Sequence, residues 1–325
     1  MRVFVAGATG AVGIRLVIEL LADGHEVVGM VRSRGREDAL RRLGAEPVVA
    51  DGLDREAVIA AVALASPDVL VHEMTALAGV TSYRDFNRAF ALTNRLRTEG
   101  TDNLLAAARA AGVCRVVAQS FGNWTYERRG GAVKDEADPL DPSPPAGMAR
   151  SLRAIRHLEA AVVGAEGIDG VALRYGNLYG PRTSFGEGGA FVELVRRRKV
   201  PIIGGGGGVW SFVHVDDAAA ATAAAVWAGA PGIYNIADDD PAPAAVWLPA
   251  LAQALGARSP RRVPAWLGRL VAGEASVSMF TRIRGASNAK AKRALGWRPL
   301  YSSWRDGFRR GLADAPAGIA SSARA

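Results

Sequence analysis

Gly7, Gly10 and Gly13 are the residues of this 325-residue chain whose spacing most directly implies chemistry. They lie in Gly7-Ala8-Thr9-Gly10-Ala11-Val12-Gly13, between the apolar run Val3–Ala6, which reads as a strand, and Ile14–Ala22, which has helical periodicity. In that context the first glycine permits a tight turn. The second lets backbone approach a diphosphate, and the third lets the helix pack closely on the strand. A helix opening at this point offers free N–H groups and partial positive charge to phosphate oxygens, so the backbone of Thr9, Ala11 and Val12 belongs to the same cradle.

The second strand, Glu26–Val31, runs into Arg32 and lacks the terminal carboxylate that accepts from a free ribose hydroxyl. Arg32, with Arg34 and Arg36 behind it, suits a 2′-phosphate through charge-assisted hydrogen bonds. The expected cofactor is therefore NADP in preference to NAD. Asp51-Gly52-Leu53 follows the third strand. A carboxylate there can accept from an adenine amino group with Leu53 against the ring, whereas capping the next helix suits Asp54 better.

These residues need a scaffold, and the chain supplies alternating patterns. Pro47–Ala50, Val69–His72, Arg115–Gln119 and Val171–Arg174 read as further short strands, and Arg36–Leu43, Arg55–Ala65, Thr93–Ala111 and Leu152–Gly164 as helices between them. Such alternation implies an α/β fold, a doubly wound parallel sheet of Rossmann type. Residues 1–176 form the dinucleotide-binding part, and His214–Ala228 and Gly232–Ile236 return to it within 214–236. Residues 177–213 and 237–315 read as a smaller, mostly helical substrate lobe, with helices at Ala244–Leu255 and Pro264–Gly273. The run 316–325 reads as a flexible tail.

The order of these pieces resembles the extended short-chain dehydrogenase/reductases, the NAD-dependent epimerase/dehydratase family. The resemblance covers nearly the whole chain. Besides the glycine loop it rests on Glu99-Gly100-Thr101-Asp102-Asn103-Leu104-Leu105, on Val116-Val117-Ala118-Gln119-Ser120 and on Arg174-Tyr175-Gly176-Asn177-Leu178-Tyr179-Gly180-Pro181. Two later segments join them, Ser211-Phe212-Val213-His214-Val215-Asp216-Asp217 and Leu295-Gly296-Trp297-Arg298-Pro299. The resemblance implies cofactor contacts from Thr75, Ala76, Asn94 and Gln119. It implies substrate contacts from Phe121, Gly122, Asn123, Trp124, Asn177, Tyr179, Trp210, Phe212 and His214.

The resemblance also implies a tyrosine and, four residues later, a lysine on one helix, with a serine at the end of the fifth strand. This chain departs from that pattern. Glu159 sets the register of the helix, so Ser151 falls at the tyrosine position and Ile155 at the lysine position. No tyrosine in the chain, Tyr83 included, has lysine four residues on. A positioned acid or base contributes roughly 10²–10⁴ in rate, and isoleucine can neither hold a ribose nor shift a neighbour's pKa. Ser120, Tyr126 and Ser151 are the candidate catalytic groups, with Tyr126 delivering a proton if it turns inward. Three functions stay open: redox chemistry on an alcohol, carbonyl or sugar-like molecule; a non-redox isomerase, dehydratase or cyclase; and a non-catalytic NADP sensor.

Composition narrows the class further. At 49% hydrophobic and 22% charged residues the chain is neither disordered nor membrane-spanning. A single cysteine, Cys114, excludes an internal disulfide and fits a cytoplasmic setting. Forty basic residues give a net charge of +8, but they are scattered without an aromatic-interleaved stripe, which argues for a solvated surface and no nucleic-acid partner. No metal site is expected. A homodimer through the two long helices is compatible with the resemblance.

Overall fold

The computed structural model describes residues 1–77 and 85–314; Tyr83 and the expected tail 316–325 lie outside the described residues. Seven parallel strands form the central sheet: β1 (Arg2–Ala6), β2 (Glu26–Val31), β3 (Glu46–Val49), β4 (Val69–His72), β5 (Arg115–Phe121), β6 (Asp169–Tyr175) and β7 (Gly232–Ile236). Their spatial order is β7-β6-β5-β4-β1-β2-β3. The order reverses beside β1, and in such sheets ligands bind outside the carboxyl ends of the strands near that point.

The sheet is buried on both faces, which is why its strands read as apolar runs and not as alternating ones. Alternate residues of β1 feed opposite cores, Val3 and Val5 one, Phe4 and Ala6 the other. The first core is closed by α1 (Ala11–Ala22), through Leu16, Val17 and Leu20, and by residues further along the chain at Ala218–Val226. The short helix α2 (Glu37–Leu43) adds Leu40. The second core is closed by α3 (Arg55–Ala65) and by a helical run made of α4 (Ala91–Arg95), a π-turn (Leu96–Gly100) and α5 (Thr101–Ala111). The helix α6 (Ala146–Val163) completes it with Leu158 and Val162. Gly170 in β6 lets α6 approach: a Cβ there would overlap the Val162 carbonyl.

A third cluster builds the lobe from α7 (Ala190–Arg196), α9 (Ala244–Ala254), α10 (Ala265–Thr281) and α11 (Trp304–Arg310), while α8 (Val215–Trp227) returns to the sheet. Trp210, Phe212, Trp247 and Phe280 pack there edge to face and tilted. Several expected boundaries differ; α6, expected from Leu152, opens at Ala146. The helix expected over Thr93–Ala111 is interrupted by the π-turn, which no apolar spacing marks. The helix expected to stop at Gly273 continues to Thr281 across a kink, because glycine takes φ +83° there and the chain resumes helical geometry. No helix among the described residues is long and apolar enough to cross a membrane.

One buried ion pair ties α6 to the sheet. Arg174 Nε and Nη2 each donate to Glu159 at 2.7 Å, and both side chains are at most 5% exposed. Glu159→Gln leaves the guanidinium without its counter-charge and is expected to lower stability by about 3 kcal/mol in urea unfolding, whereas the pair replacement Glu159→Leu/Arg174→Met recovers most of that loss. A single variant as stable as the parent would contradict this account.

Candidate active site

The turn between β1 and α1 has the geometry of a diphosphate cradle. Gly7 sits at φ +95°, and a Cβ on it would come within 2.7 Å of the Glu73 carbonyl. Gly10 caps α1 in an extended conformation, with no side chain accepting from the first turn and no carboxylate in that turn. The leading N–H groups therefore stay available to an anion. Ala11 opens the helix, Val12 is buried in the first core, and Gly13 packs on the Gly7 carbonyl and Ala8 backbone.

Arginines surround the loop. Arg36 Nη1 donates to Thr9 Oγ1 at 3.4 Å and Arg182 Nη2 to the Thr9 carbonyl at 3.1 Å, while Arg32 is exposed beyond the end of β2. Further along the strand ends, Asp51 is exposed and accepts from Leu53 N at 3.0 Å; the cap of α3 is Asp54, which accepts from Ala57 N. The Gly52 carbonyl accepts from Asn103 Nδ2 at 3.0 Å. Thr75 is exposed, Ala76 N donates to Thr93 Oγ1, and Gln119 is buried in β5. Asn94 Oδ1 is a buried acceptor without a partner. A tight glycine cradle, an uncapped helix and an orphaned acceptor along one crevice fit a dinucleotide.

Two of the candidate catalytic groups are directed elsewhere. Ser120 Oγ donates to Glu159 at 2.7 Å and is 1% exposed, so its hydroxyl faces α6 beneath the strand. Tyr126 does turn inward, but into the same network: its hydroxyl donates to Asn235 Oδ1 at 2.6 Å and accepts from Arg174 Nη1 at 3.0 Å. Burial pushes its pKa up to about 12 against the pull of Arg174, which makes it a poor acid. Strand parity explains Ser120. It shares a face with Val116 and Ala118, which pack in the α6 core, while Phe121 has the opposite parity.

The third candidate, Ser151, is fully buried on α6 with its Oγ unpartnered, and Ile155 one turn later is equally buried in the lobe core. At the two positions of the expected pair α6 thus carries a hydroxyl and a hydrocarbon.

A cavity of about 460 Å³ opens between the strand ends and the lobe. Phe121, Asn123, Trp124, Asn177 and Trp210 line it as expected, together with Phe86, Phe185 and Phe191. Asn177 Nδ2 is a buried donor without a partner. Lys199 is the only charged residue among those lining the cavity.

Four expected substrate residues fall outside it. Gly122 lies against the Arg174 side chain and backbone. Tyr179 is buried among Phe212, His214 and Phe308, and Phe212 is itself fully buried in the lobe core. His214 caps α8 by accepting from Asp216 N at 3.2 Å and bonds the Gly311 carbonyl through Nε2 at 2.8 Å. In the structure these four positions pack and cap.

Reading the sequence alone missed Glu73, Arg97 and Lys199 as site residues. Glu73 follows β4 and accepts from Tyr175 Oη at 2.7 Å, with its second oxygen unpartnered. Burial pushes its pKa up to about 8, partly opposed by the tyrosine hydrogen bond. Arg97 is 3% exposed in the π-turn with Nε and Nη1 unpartnered. A charged residue within an apolar-face pattern was the one signal available for either.

Comparison with known proteins agrees with this geometry. Residues 3–237 match the family described as NAD dependent epimerase/dehydratase. A curated relative from a Streptomyces species, 3-diazoavenalumate denitrifying reductase, is 47% identical over 310 residues, covering 95% of this chain and all of the relative. The structure of UDP-glucose 4-epimerase of Thermus thermophilus with NAD is 28% identical, with a TM-score of 0.73 over 96% of this chain and 98% of that one. That of the Thermotoga maritima UDP-glucose 4-epimerase with UDP-glucose is 26% identical, with a TM-score of 0.75 over 96% and 97%.

The neutral Glu73 carboxyl has a measurable consequence. Its folded pKa of about 8 lies above the ordinary 4.5, so the folded state holds the extra proton and this contribution to stability is present at acidic pH and lost as pH rises through about 8. Asp238, also raised by burial to about 8, acts in the same direction. The melting temperature is expected to fall between pH 5 and 9, and Glu73→Gln to flatten that fall. An identical pH profile for the variant would show that Glu73 is ionised in the folded protein.

Proposed function

The chain belongs to the NAD-dependent epimerase/dehydratase family, and from that premise we propose that it is a nicotinamide-dependent reductase replacing the diazo group of an aromatic carboxylate by hydrogen. The observation that carries the reading is a large aromatic cavity whose described lining offers Lys199 as its one charged group. Among the described residues lining the cavity there is no tyrosine, histidine or carboxylate, and α6 carries Ser151 and Ile155 where the family pattern has tyrosine and lysine.

Ketone reduction and sugar epimerisation both create or consume an oxyanion, and a missing proton donor there forfeits roughly 10²–10⁴ in rate. When bound, a reduced nicotinamide supplies two electrons and one hydrogen as hydride, and an arenediazonium that accepts them becomes the arene and N₂, leaving no oxyanion to protonate. The substrate of the Streptomyces relative is a diazo carboxylate by its name, which supports the same chemistry here.

The protein's own residues bind, orient and exclude water. Phe121, Trp124, Phe185, Phe191 and Trp210 offer ring faces and edges to an aryl group. Asn177 Nδ2 provides a donor for a ring oxygen, and Lys199 a counter-charge for a carboxylate. The apolar wall keeps water from a diazonium that water would otherwise capture. The cofactor is NADPH: no acid ends β2, Arg36 reaches Thr9, and Arg32 is exposed just past the strand, so a 2′-phosphate can be held there.

Mixed with NADPH and an aryl diazonium carboxylate, the enzyme is expected to oxidise one NADPH per N₂ released and yield the arene with hydrogen at the former C–N position. Lys199→Ala should raise KM for the carboxylate a few-fold and leave that for its methyl ester unchanged, the modest size following from its exposure. Turnover of a carbonyl panel with none of the diazo compound would overturn the reading. Separately, Arg32→Ala/Arg36→Ala should weaken NADPH binding about tenfold without affecting NADH, measured by cofactor fluorescence; equal losses for both would reverse the cofactor preference.

A further inference from the structure

Arg97 is a buried cation with two guanidinium nitrogens unpartnered among the described residues. It is 3% exposed, and among the described residues Nε and Nη1 have no hydrogen-bond partner. Burial pulls its pKa down to about 10, opposed by the nearby charge of Glu159. Glu159 gives Arg97 no hydrogen bond or close ion pair among the described residues; its carboxylate accepts from Ser120 and from Arg174 Nε and Nη2. The other titratable neighbour is His72 at the end of β4. Burial lowers its pKa to about 4, and its ring is engaged by the Leu96 carbonyl and Met74 N, so it is neutral. Leaving a buried charge without partners costs several kcal/mol, and packing alone would favour an apolar residue.

Three further observations converge on the same spot. Arg97 lies in the π-turn, and such insertions concentrate at functional sites because they rotate one side chain out of the helical register. Asn94, three residues earlier, has a buried acceptor without a partner, and Ser151 on α6 a buried hydroxyl without one. The π-turn and α4 both pack on α6, beside the ends of β4 and β5 where the crevice opens. Each orphan carries a penalty of roughly 1–3 kcal/mol that a ligand would remove.

We propose that Arg97, with Ser151 and Asn94 on the adjoining helices, holds the nicotinamide–ribose half of the cofactor, the cation coming from the π-turn because α6 carries the hydrocarbon of Ile155. This rests on the cofactor reading above and is independent of the substrate's identity. The guanidinium donates to ribose or carboxamide oxygens, the Ser151 hydroxyl donates or accepts there, and Asn94 Oδ1 accepts.

The test compares two ligands on the intact protein, NADPH and adenosine 2′,5′-bisphosphate, which lacks the nicotinamide ribose. Arg97→Met is expected to weaken NADPH about tenfold or more while leaving the bisphosphate unchanged, with a melting temperature of the free protein no lower than the parent's. Arg97→Lys should retain most of the NADPH affinity, and adding Ile155→Lys to Arg97→Met should restore it. Parental NADPH affinity in Arg97→Met, or equal losses for both ligands, overturns the proposal. So does a variant that only melts earlier, which would make Arg97 a structural counter-charge to Glu159. Failure of the parent itself to bind NADPH would instead sink the cofactor reading and this proposal with it.

Discussion

The Glu159–Arg174 ion pair is the constraint around which the rest of the site is arranged. Two charges almost wholly removed from water need each other and further hydrogen bonds, and here the further bonds come from two of the expected catalytic groups. Ser120 donates to Glu159, and Tyr126 bridges Arg174 and Asn235. The pair joins α6 to β5, β6 and, through Asn235, β7. It thereby sets how far along the sheet α6 lies and which of its residues reach the crevice.

That arrangement divides the molecule chemically. Polar groups are concentrated beneath the strand ends in one network of Ser120, Tyr126, Glu159, Arg174 and Asn235. The cavity above is left aromatic, with one lysine at its wall and an unpartnered asparagine donor. A site so lined excludes water and orients a ring well, but it moves protons poorly. A reaction whose leaving group is N₂ matches those capacities, because two electrons and one hydrogen complete it and no charge is left on oxygen.

Electrostatics divides the crevice along its length as well. At one end the uncapped opening of α1 and the arginines around Thr9 gather negative charge. At the other, Arg97 has two guanidinium nitrogens without a partner among the described residues, with Glu159 as the nearby opposite charge, while burial raises the pKa of Glu73 beside the glycine turn to about 8. A carboxylate at Glu73 would oppose the phosphates bound close by, so its protonation suits the cradle it adjoins.

Much of this was legible in the chain itself. The glycine loop, the apolar runs buried on two faces and the alternation of strands with helices are local patterns, and they specify a doubly wound parallel sheet because each element can bury its apolar surface in few ways. The absence of a tyrosine–lysine pair is likewise a fact of spacing on one helix. Even the direction of Ser120 was implicit in the parity it shares with Val116 and Ala118. What only the tertiary structure decided is partnership. That Ser120 and Arg174 meet at Glu159 while Tyr126 reaches Arg174 and Asn235, that His214 bonds the Gly311 carbonyl, and that among the described residues Arg97 Nε and Nη1 find no partner all depend on which segments folding brings together. Periodicity tells which face a side chain occupies. Whether it is satisfied there depends on which other face folding brings against it.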